Sequence, residues 1–398
     1  MPVEAVALEL APYIEAFERM PEHVLKQAAF ERFLAAGFPT SRDEDWKFTN
    51  LSRLARMSFD PAQPADPAFL EELPADGPRM VFVNGFFAAL ASTKDRMLES
   101  TRDRPSTIAD EKKTFVALNN AFAVDTPILR VPAGAVVQDP IYLIHVSRPG
   151  SRPAFSNPHN LVMVEKGAHA SIVEIYLGEG EYFTNALTEI IAGDGALVNH
   201  YKVQRESEQA FHISTVQIAQ GRGSVVSSRN FAFGGALART EINVTLDEGS
   251  EATLNGLYLV NGRRHVDTRT TIDHAKPHAT SHELYKGILD GHSSAVFNGK
   301  IIVRKDAQKT DAKQTNKNLV LSEDATINTK PQLEIFADDV RCTHGATVGQ
   351  LDAESIFYLR SRGIGLAEAR RMLIEAFARE IIDGVKIDEL REYLGRFV

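Results

Sequence analysis

The feature that most constrains the fold is a region of more than 220 residues, from about Thr126 to about Leu351, that reads as successive short β-strands. The strand-like runs are separated by Gly, Asn, Asp or Pro, and no helical pattern lies between them. Typical runs are ASIVEIYL (170–177), ALVNHYKVQ (196–204), SVVSSRNFAF (224–233), ATLNGLYLV (252–260) and AVFNGKIIV (295–303). A β-region of this length is typical of a sandwich, a barrel or a β-solenoid.

The turn residues favour the solenoid among these three folds. Tight Asn-Gly and Asp-Gly turns, which close β-hairpins, are scarcer than a meander of this length would need. Several runs open with Gly or Ser and a small residue, as in GAHASIV, GALVNHY, GSEATLN and HSSAVFN, which suggests stacked corners. A separate hairpin is predicted in MVFVNGFF (80–87), around Asn84 and Gly85.

Helical periodicity flanks the β-region on both sides. An apolar stripe in the first 36 residues, which Gly37 and Pro39 terminate, consists of Leu25, Ala28, Ala29, Phe33 and Leu34. After a short helix over residues 354–360, an amphipathic helix that ends at Gly384 has an apolar face of Leu366, Ala369, Leu373, Ala376, Phe377 and Ile381. We therefore predict a helical and mixed region over 1–125, a β-core over 126–352 and a helical region over 353–398. The last region is expected to cap the solenoid end, and its interleaved Glu and Arg residues also suit docking of a partner protein.

Composition limits the classes of function. A formal net charge of -9 argues against general nucleic-acid binding, because phosphate recognition needs a basic surface. No run approaches the roughly 18 apolar residues of a membrane helix, and the first residues lack the pattern of a secretory signal. A single cysteine cannot form an internal disulfide and fits a reducing compartment, so we expect a cytoplasmic protein.

That cysteine, Cys342, lies two residues before His344 in the strand-like segment VRCTHGATV. Side chains alternate along a strand, so the two are predicted to share one face, with Cβ atoms roughly 6.5 to 7 Å apart. Two ligands are too few for a closed metal site. The pair is therefore either a buried cysteine beside a hydrogen-bonded histidine, or part of a transient site that a second chain completes.

Two further polar segments invite interpretation. The segment HVDTRTTIDHAKPHATSHELYKG contains His265, Asp267, Asp273, His274, His278 and His282. Because Pro277 disfavours a common helical face, these are either turn and surface residues or the zinc ligands of a metal-dependent hydrolase. The segment RKDAQKTDAKQTNKN (304–318) spaces Lys305, Lys309, Lys313 and Lys317 four apart and is either a basic helical face or a solvated polar ladder. Motifs of nucleotide hydrolysis and of nucleophilic catalysis, such as GxxxxGKS/T, GxGxxG, GxSxG and HExxH, are absent from the sequence.

Four segments together resemble the SufB/SufD family of the SUF iron–sulfur cluster assembly machinery, in its SufD form. They are GFPTSRDEDWKFTN (37–50), NGKIIVRKDAQKTDAKQTNKNLVLS (298–322), KPQLEIFADDVRCTHGATVGQLD (330–352) and IFYLRSRGIGLAEARRMLIEAFAREII (356–382). The His-Gly pair in THGATVG favours the SufD form. SufB-like paralogues resemble an acid-containing His-Glu segment at the same position.

The resemblance implies a mainly β fold, a right-handed parallel β-helix flanked by N-terminal and C-terminal helical regions. It implies a non-catalytic scaffold subunit that pairs with a SufB-like paralogue and docks a SufC-like ATPase through its C-terminal helices, with Leu366, Leu373 and Phe377 as docking residues. It implies that His344 and Cys342 contribute to a transient iron–sulfur cluster site shared with SufB, with no cofactor permanently bound to the isolated chain. The isolated chain could also form a homodimer, and no nucleic acid or membrane partner is expected.

Two other classes compete with this interpretation. One is a β-helix carbohydrate-active enzyme, because polysaccharide lyases share the architecture. Such an enzyme would need a groove with catalytic carboxylates or basic residues, and the sequence offers no recognisable cluster of them. The other is the metal-dependent hydrolase based on the segment from His265 to His282.

Overall fold

The computed structural model describes residues 3–20, 23–66, 77–102 and 108–398. The α-helices are α1 (Val3–Glu18), α2 (Val24–Ala36), α3 (Ser52–Arg56), α4 (Thr114–Phe122), α5 (Ala353–Ser361), α6 (Leu366–Ile382) and α7 (Asp388–Gly395), with short 3-10 helices at Glu44–Trp46 and Ala89–Ala91. The strands are β1 (Asp60–Pro61), β2 (Arg79–Val83), β3 (Phe86–Phe87), β4 (Leu98–Arg102), β5 (Asp125–Val131), β6 (Ile141–Ser147), β7 (Ala154–Ser156), β8 (His159–Val164), β9 (His169–Gly178), β10 (Tyr182–Ala192), β11 (Leu197–Arg205), β12 (Phe211–Gln220), β13 (Val225–Ala232), β14 (Leu237–Leu246), β15 (Glu251–Val260), β16 (His265–His274), β17 (Thr280–Leu289), β18 (Ser294–Val303), β19 (Asp311–Val320), β20 (Thr326–Ile335) and β21 (Arg341–Gly349).

From β8 to β21, successive strands alternate between two parallel sheets. Sheet A contains the even-numbered strands from β8 to β20, and sheet B contains the odd-numbered strands from β9 to β21. Leu197 pairs with His169 on one side and with Val225 on the other, so one coil there comprises 28 residues. The strands thus form a parallel β-solenoid of about eight coils, with helices on either side in sequence, which confirms the predicted fold class.

The corners before the strands of sheet B share one backbone conformation. Four successive coils have a glycine with φ of 64–65° at this corner, namely Gly167, Gly195, Gly223 and Gly249. A left-handed backbone disfavours other L-residues by about 1–2 kcal/mol but not glycine. The next two coils place His278 and Lys309 at the same corner, with φ of 63° and 64°. The small-residue openings in the sequence therefore mark stacked corners, as predicted.

Inward-facing rows of aliphatic side chains fill most of the solenoid interior. In sheet A, one such row runs through Ile190, Ile218, Val244 and Ile272, each at most 2% exposed. Facing rows of sheet B contribute Ile172 and further small or aliphatic residues to the same core. Burial of this apolar surface from coil to coil stabilises the stack.

The helical regions cover the outer faces of the two sheets. Tyr13, Phe33 and Phe122 of the N-terminal helices pack with Phe155 and Phe183 on the outside of sheet A. Within the C-terminal region, helix α6 contacts β15 and β17, and its residues join an apolar cluster on the outside of sheet B. The C-terminal helices therefore cover the side of the solenoid, and our expectation of an end cap is wrong.

Two local predictions can be compared with the structure. The hairpin around Asn84 and Gly85 is confirmed, with positive φ at both residues and antiparallel β2 and β3, and β2 also joins sheet B in parallel with β6. In α2 the buried stripe is rotated from our assignment, because Leu25 is exposed whereas Phe30 is buried. Helix α7 follows Gly384 and was not predicted. No helix in the described ranges is long and apolar enough to cross a membrane.

Candidate functional site

The last coil of the solenoid leaves one edge of each sheet open. Strands β20 and β21 stand at the ends of sheets A and B, and within the described residues they pair only with β18 and β19, respectively. Pro331 in β20 is tolerated at such an edge because proline has no N–H to donate to a further strand. Large apolar side chains are exposed here, including Phe336 at 62% and Val348 at 54%. An uncovered sheet edge with exposed apolar residues is a template for pairing with another chain.

Strand β21 carries Cys342 and His344. The register places Cys342 beside Ala312 and His344 beside Gln314, and both partners are buried in the solenoid interior. Cys342 and His344 therefore share the inward-facing side of β21, as the alternation of strand side chains predicts. Because β21 is the terminal strand, this inward-facing side lies at the open mouth of the solenoid.

The environments of the two side chains differ. Cys342 is half-buried and packs against an aliphatic cluster that includes Ile301 and Val303 of β18. Burial, followed by the negative charge of Asp311, raises the pKa of the Cys342 thiol, which keeps it protonated in the isolated chain. His344, by contrast, is exposed. Of the two, His344 is thus the side chain that a neighbouring molecule reaches directly.

Two buried polar residues stand behind His344 and were not singled out from the sequence. In the same row of sheet B, His344 pairs with Gln314 and Gln314 pairs with Glu283. Gln314 Nε2 donates a hydrogen bond of 2.7 Å to Glu283 Oε2. Burial raises the pKa of Glu283 to about 7, although the hydrogen bond from Gln314 acts in the opposite direction. A carboxyl group kept in such an environment is typical of functional sites.

Further inside, the solenoid encloses a network of charged side chains. His200 Nε2 lies 3.0 Å from Glu174 Oε1, and Tyr176 donates a hydrogen bond of 2.8 Å to Glu174 Oε2. Lys202 Nζ lies 2.8 Å from His212 Nε2 in the same network. Burial alone would raise the pKa of Glu174, but hydrogen bonds from His200 and Tyr176 and nearby positive charge lower it to about 2.

Burial also lowers the pKa of Lys202 to about 8, against the raising effect of the Glu174 charge. The carboxylate of Glu174 is thus ionised and satisfied by surrounding donors, as a buried charge must be. The alternating pattern NHYKVQ indicated a strand in this region but not that its polar residues face inward. This interior network was therefore missed.

The histidine-rich segment does not converge into a site. His265 contacts Thr49 and Ser294 on the outside of sheet A, whereas His274 faces inward and contacts Ser281. His278 occupies a corner and His282 is exposed on β17. Asp267 and Asp273 pair instead with Arg239 and Arg304. Among the described residues no group of three or more His, Cys, Asp or Glu could hold a metal ion, so the metal-dependent hydrolase alternative has no site here.

The lysine-rich segment is a strand preceded by a turn, so the helical-face alternative is wrong. Lys313 and Lys317 lie on the outer side of β19, whereas Gln314 and Asn316 of the same strand are buried inside. Lys305 and Lys309 precede the strand. This arrangement is the polar ladder that the sequence analysis kept as its second interpretation.

The segment over residues 37–50 fastens the N-terminal region to sheet A. The ring of Trp46 stacks on the guanidinium of Arg239, with 3.7 Å between Arg239 Cζ and the ring centroid. Asp45 pairs with Arg269 at 2.6 Å, and Thr49 donates a hydrogen bond of 2.6 Å to Asp267. The conspicuous polar and aromatic residues of this segment therefore have a structural role.

The C-terminal helices present an outer surface as well as an inner one. Phe357, Tyr358, Leu366 and Met372 are exposed on α5 and α6. Leu373 and Phe377 are half-buried, and the Phe377 ring lies 4.1 Å from Lys286 Nζ of β17. Of the three residues predicted to dock a partner, Leu366 is thus exposed, whereas Phe377 contacts the chain's own sheet B.

Comparison with known proteins places these features in a family. Residues 146–377 match the family model described as SUF system FeS cluster assembly, SufBD core domain. An iron-sulfur cluster assembly SufBD family protein of Synechocystis is 36% identical, over 94% of this chain and 89% of that protein. The iron-sulfur cluster assembly protein SufD of Escherichia coli is 32% identical, over 95% of this chain and 92% of that protein. The chloroplastic protein ABCI7 of Arabidopsis thaliana is 30% identical, over 94% and 84%.

The matched region runs from the end of β6 into α6 and includes the terminal strand with Cys342 and His344. Relatives at this level of identity cover almost the whole chain. The chain belongs to the SufBD family of iron–sulfur cluster assembly proteins.

Proposed function

We propose that this chain is a non-catalytic scaffold subunit that pairs with a SufB-like paralogue through the open end of its solenoid. The observation that carries the proposal is the pair of unfilled edges on β20 and β21, beside exposed Phe336 and Val348. Strand addition would satisfy the free backbone groups and bury this apolar surface. A paralogue with the same fold would have two corresponding edge strands, which could pair with β20 and β21.

The proposed cluster site lies at the same end. His344 would supply an imidazole ligand to a nascent iron–sulfur cluster, with Cys342 beside it and the remaining ligands from the partner. Both side chains occupy the inward face of the terminal strand, so a partner strand added to β21 would bring its own side chains next to them. An imidazole in place of a thiolate alters the electronics of such a cluster. A site divided between two chains is suited to a cluster that is later handed on.

A second surface would dock a SufC-like ATPase. Phe357, Tyr358, Leu366 and Met372 form an exposed apolar group on α5 and α6, while the opposite side of α6 is fixed to sheet B. Lys286 accounts for part of that attachment, because it donates a hydrogen bond of 2.7 Å to the Phe377 carbonyl and pairs with Glu380. Force applied at the helices would thus reach β17, two strands from β21.

Reconstitution with a SufB-like and a SufC-like protein tests the proposal. His344→Ala should leave the complex assembled but abolish cluster formation on anaerobic addition of iron and a sulfur donor. His282→Ala, which removes an exposed histidine from the outer side of β17, is the matched control and should retain the full yield. A full cluster yield from His344→Ala would refute the site, and failure of the wild-type chain to retain either partner would refute the scaffold role.

A further inference from the structure

Glu283, Gln314 and His344 form one inward-facing row across the last three strands of sheet B. Neighbouring strands lie about 4.8 Å apart, so the side chain of Gln314 has Glu283 on one side and His344 on the other. Glu283 and Gln314 are 3% and 2% exposed, whereas His344 is exposed at the solenoid mouth. The row therefore connects the buried interior with the proposed cluster site.

The amide of Gln314 is held in one orientation. Its Nε2 donates to Glu283 Oε2, and a carboxylate oxygen accepts hydrogen bonds without donating any, so the amide nitrogen has to face Glu283 whenever that group is ionised. Gly299 of the opposite sheet makes room for this arrangement, because a Cβ atom at that position would lie 2.2 Å from Gln314 Nε2. This orientation leaves Gln314 Oε1 buried, with no hydrogen-bond partner among the described residues.

A buried acceptor without a partner destabilises a protein, so the free oxygen calls for an explanation. Strand β19 has two neighbours, and the one on the interior side, β17, already engages the amide nitrogen through Glu283. On the other side, β21 presents His344, whose imidazole carries an N–H. The strand spacing of about 4.8 Å places the His344 and Gln314 side chains next to each other.

The geometry points to Gln314 as the positioning residue of His344: Gln314 Oε1 accepts the N–H of the imidazole nitrogen nearer the interior, and Glu283 holds the amide in place. The other imidazole nitrogen then faces the open end as a lone-pair donor. Ligating histidines commonly donate their second N–H to such an acceptor, which fixes both the tautomer and the ring orientation. The inference rests on the proposed function, in which the outward nitrogen of His344 is a cluster ligand.

The tautomer of His344 can be measured without any cluster. In the full-length isolated chain labelled with 15N-histidine, at a pH where the imidazoles are neutral, the nitrogen chemical shifts report the ratio of the two tautomers. His344→Ala identifies the His344 signals, and the exposed His282 serves as an internal reference. We expect the wild-type ratio at His344 to differ from that at His282 by about threefold, the effect of a hydrogen bond near the weak end of the usual range.

Gln314→Met keeps the length of the side chain but removes the acceptor, so His344 should adopt the His282 ratio. Glu283→Leu should do the same, because the amide is no longer held, whereas Glu283→Gln should retain the bias, because an amide oxygen also accepts from Gln314. Gln209→Met makes the same change at an exposed glutamine and should have no effect. A wild-type ratio equal to that of His282, or a bias that survives Gln314→Met, would overturn the inference.

Cluster formation in the reconstituted complex separates this inference from the proposed function. If His344→Ala abolishes the cluster, Gln314→Met should lower the yield severalfold, whereas Glu283→Gln should retain most of the wild-type yield. If His344→Ala has no effect on the yield, the proposed function fails while the tautomer measurement still decides whether Gln314 positions the ring. If Gln314→Met changes neither tautomer nor yield, the inference alone fails.

Discussion

Glu283→Gln should make the protein more stable, and increasingly so as the pH rises. The carboxyl of Glu283 is buried between the two sheets, and burial raises its pKa from 4.5 to about 7. The folded state therefore binds this proton more tightly than the unfolded state. Linkage gives the sign. The contribution of Glu283 to the free energy of unfolding is constant below about pH 4.5, falls as the pH rises towards 7 and is fully unfavourable above pH 7.

The two pKa values set the size of the effect. A difference between 4.5 and about 7 corresponds to about 3 kcal/mol of folding free energy that is lost at pH 8, and to about 1 kcal/mol at pH 5. Glutamine has no charge to bury and keeps an oxygen that accepts the hydrogen bond from Gln314 Nε2. With an unfolding entropy of about 2.1 cal/mol/K per residue over 398 residues, the midpoint should rise by about 4 °C at pH 8 and about 1 °C at pH 5.

Thermal unfolding of the full-length chain, followed by calorimetry at both pH values, measures this difference. Glu323→Gln removes a carboxylate that is exposed between β19 and β20, and it should leave the midpoint unchanged at each pH. A midpoint for Glu283→Gln that is lower than wild type at pH 8, or shifted equally at both pH values, would show that no ionised carboxylate is buried at this position.

Three further outcomes are expected. Gly223→Ala should destabilise the chain by about 1 kcal/mol in chemical denaturation, because φ is 64° at an otherwise open corner, whereas Gly150→Ala, also in open space, should not. Phe336→Asp should weaken retention of a SufB-like partner at least tenfold in a binding assay without lowering the thermal midpoint, since the side chain is exposed in the isolated chain. Trp46→Leu should accelerate proteolysis within the N-terminal region while the solenoid stays resistant, because the stacking on Arg239 is lost; equal cleavage rates would contradict the fastening role.

The solenoid could be predicted from sequence because its local signals agree with its fold. Glycine at Gly167, Gly195 and Gly249 marks corners that need a positive φ, and the strands between them alternate in polarity. The corners at His278 and Lys309 adopt the same conformation without glycine, so the repeat is hidden there. The pairing of strands a full coil apart, such as the 28 residues between Leu197 and Val225, is a long-range property that no local pattern specifies.

The orientation of the strands could not be predicted in the same way. In β11 the apolar Tyr201 and Val203 face the C-terminal helices, whereas His200 and Lys202 face the interior. Alternating polar and apolar residues show that a strand has two different faces. Because both faces of this sheet are buried, the alternation does not tell which face points into the solenoid. For the same reason, the apolar face of α6 indicated that the helix packs against another element, but not that this element is the outer face of sheet B.

For Cys342 and His344, the sequence predicted a shared face but not that this face lies at the mouth of the solenoid. That position depends on where the stack of coils ends and on where the helices lie. The C-terminal helices contact sheet B around β15 and β17 and leave β20 and β21 at the sheet ends. The placement of a site at an open end is thus a consequence of tertiary packing.

An open sheet edge is usually protected, because free backbone groups beside apolar side chains promote aggregation. This chain has three C-terminal helices that could have covered the end, yet they stabilise the flank, and Phe336 and Val348 remain exposed beside the edge strands. The end of the solenoid with these edge strands is also the one that carries His344. In the proposed complex, pairing and ligand supply are therefore coupled: a partner that adds a strand to β21 would also cover the His344 imidazole, and a cluster bound there would be released through that interface.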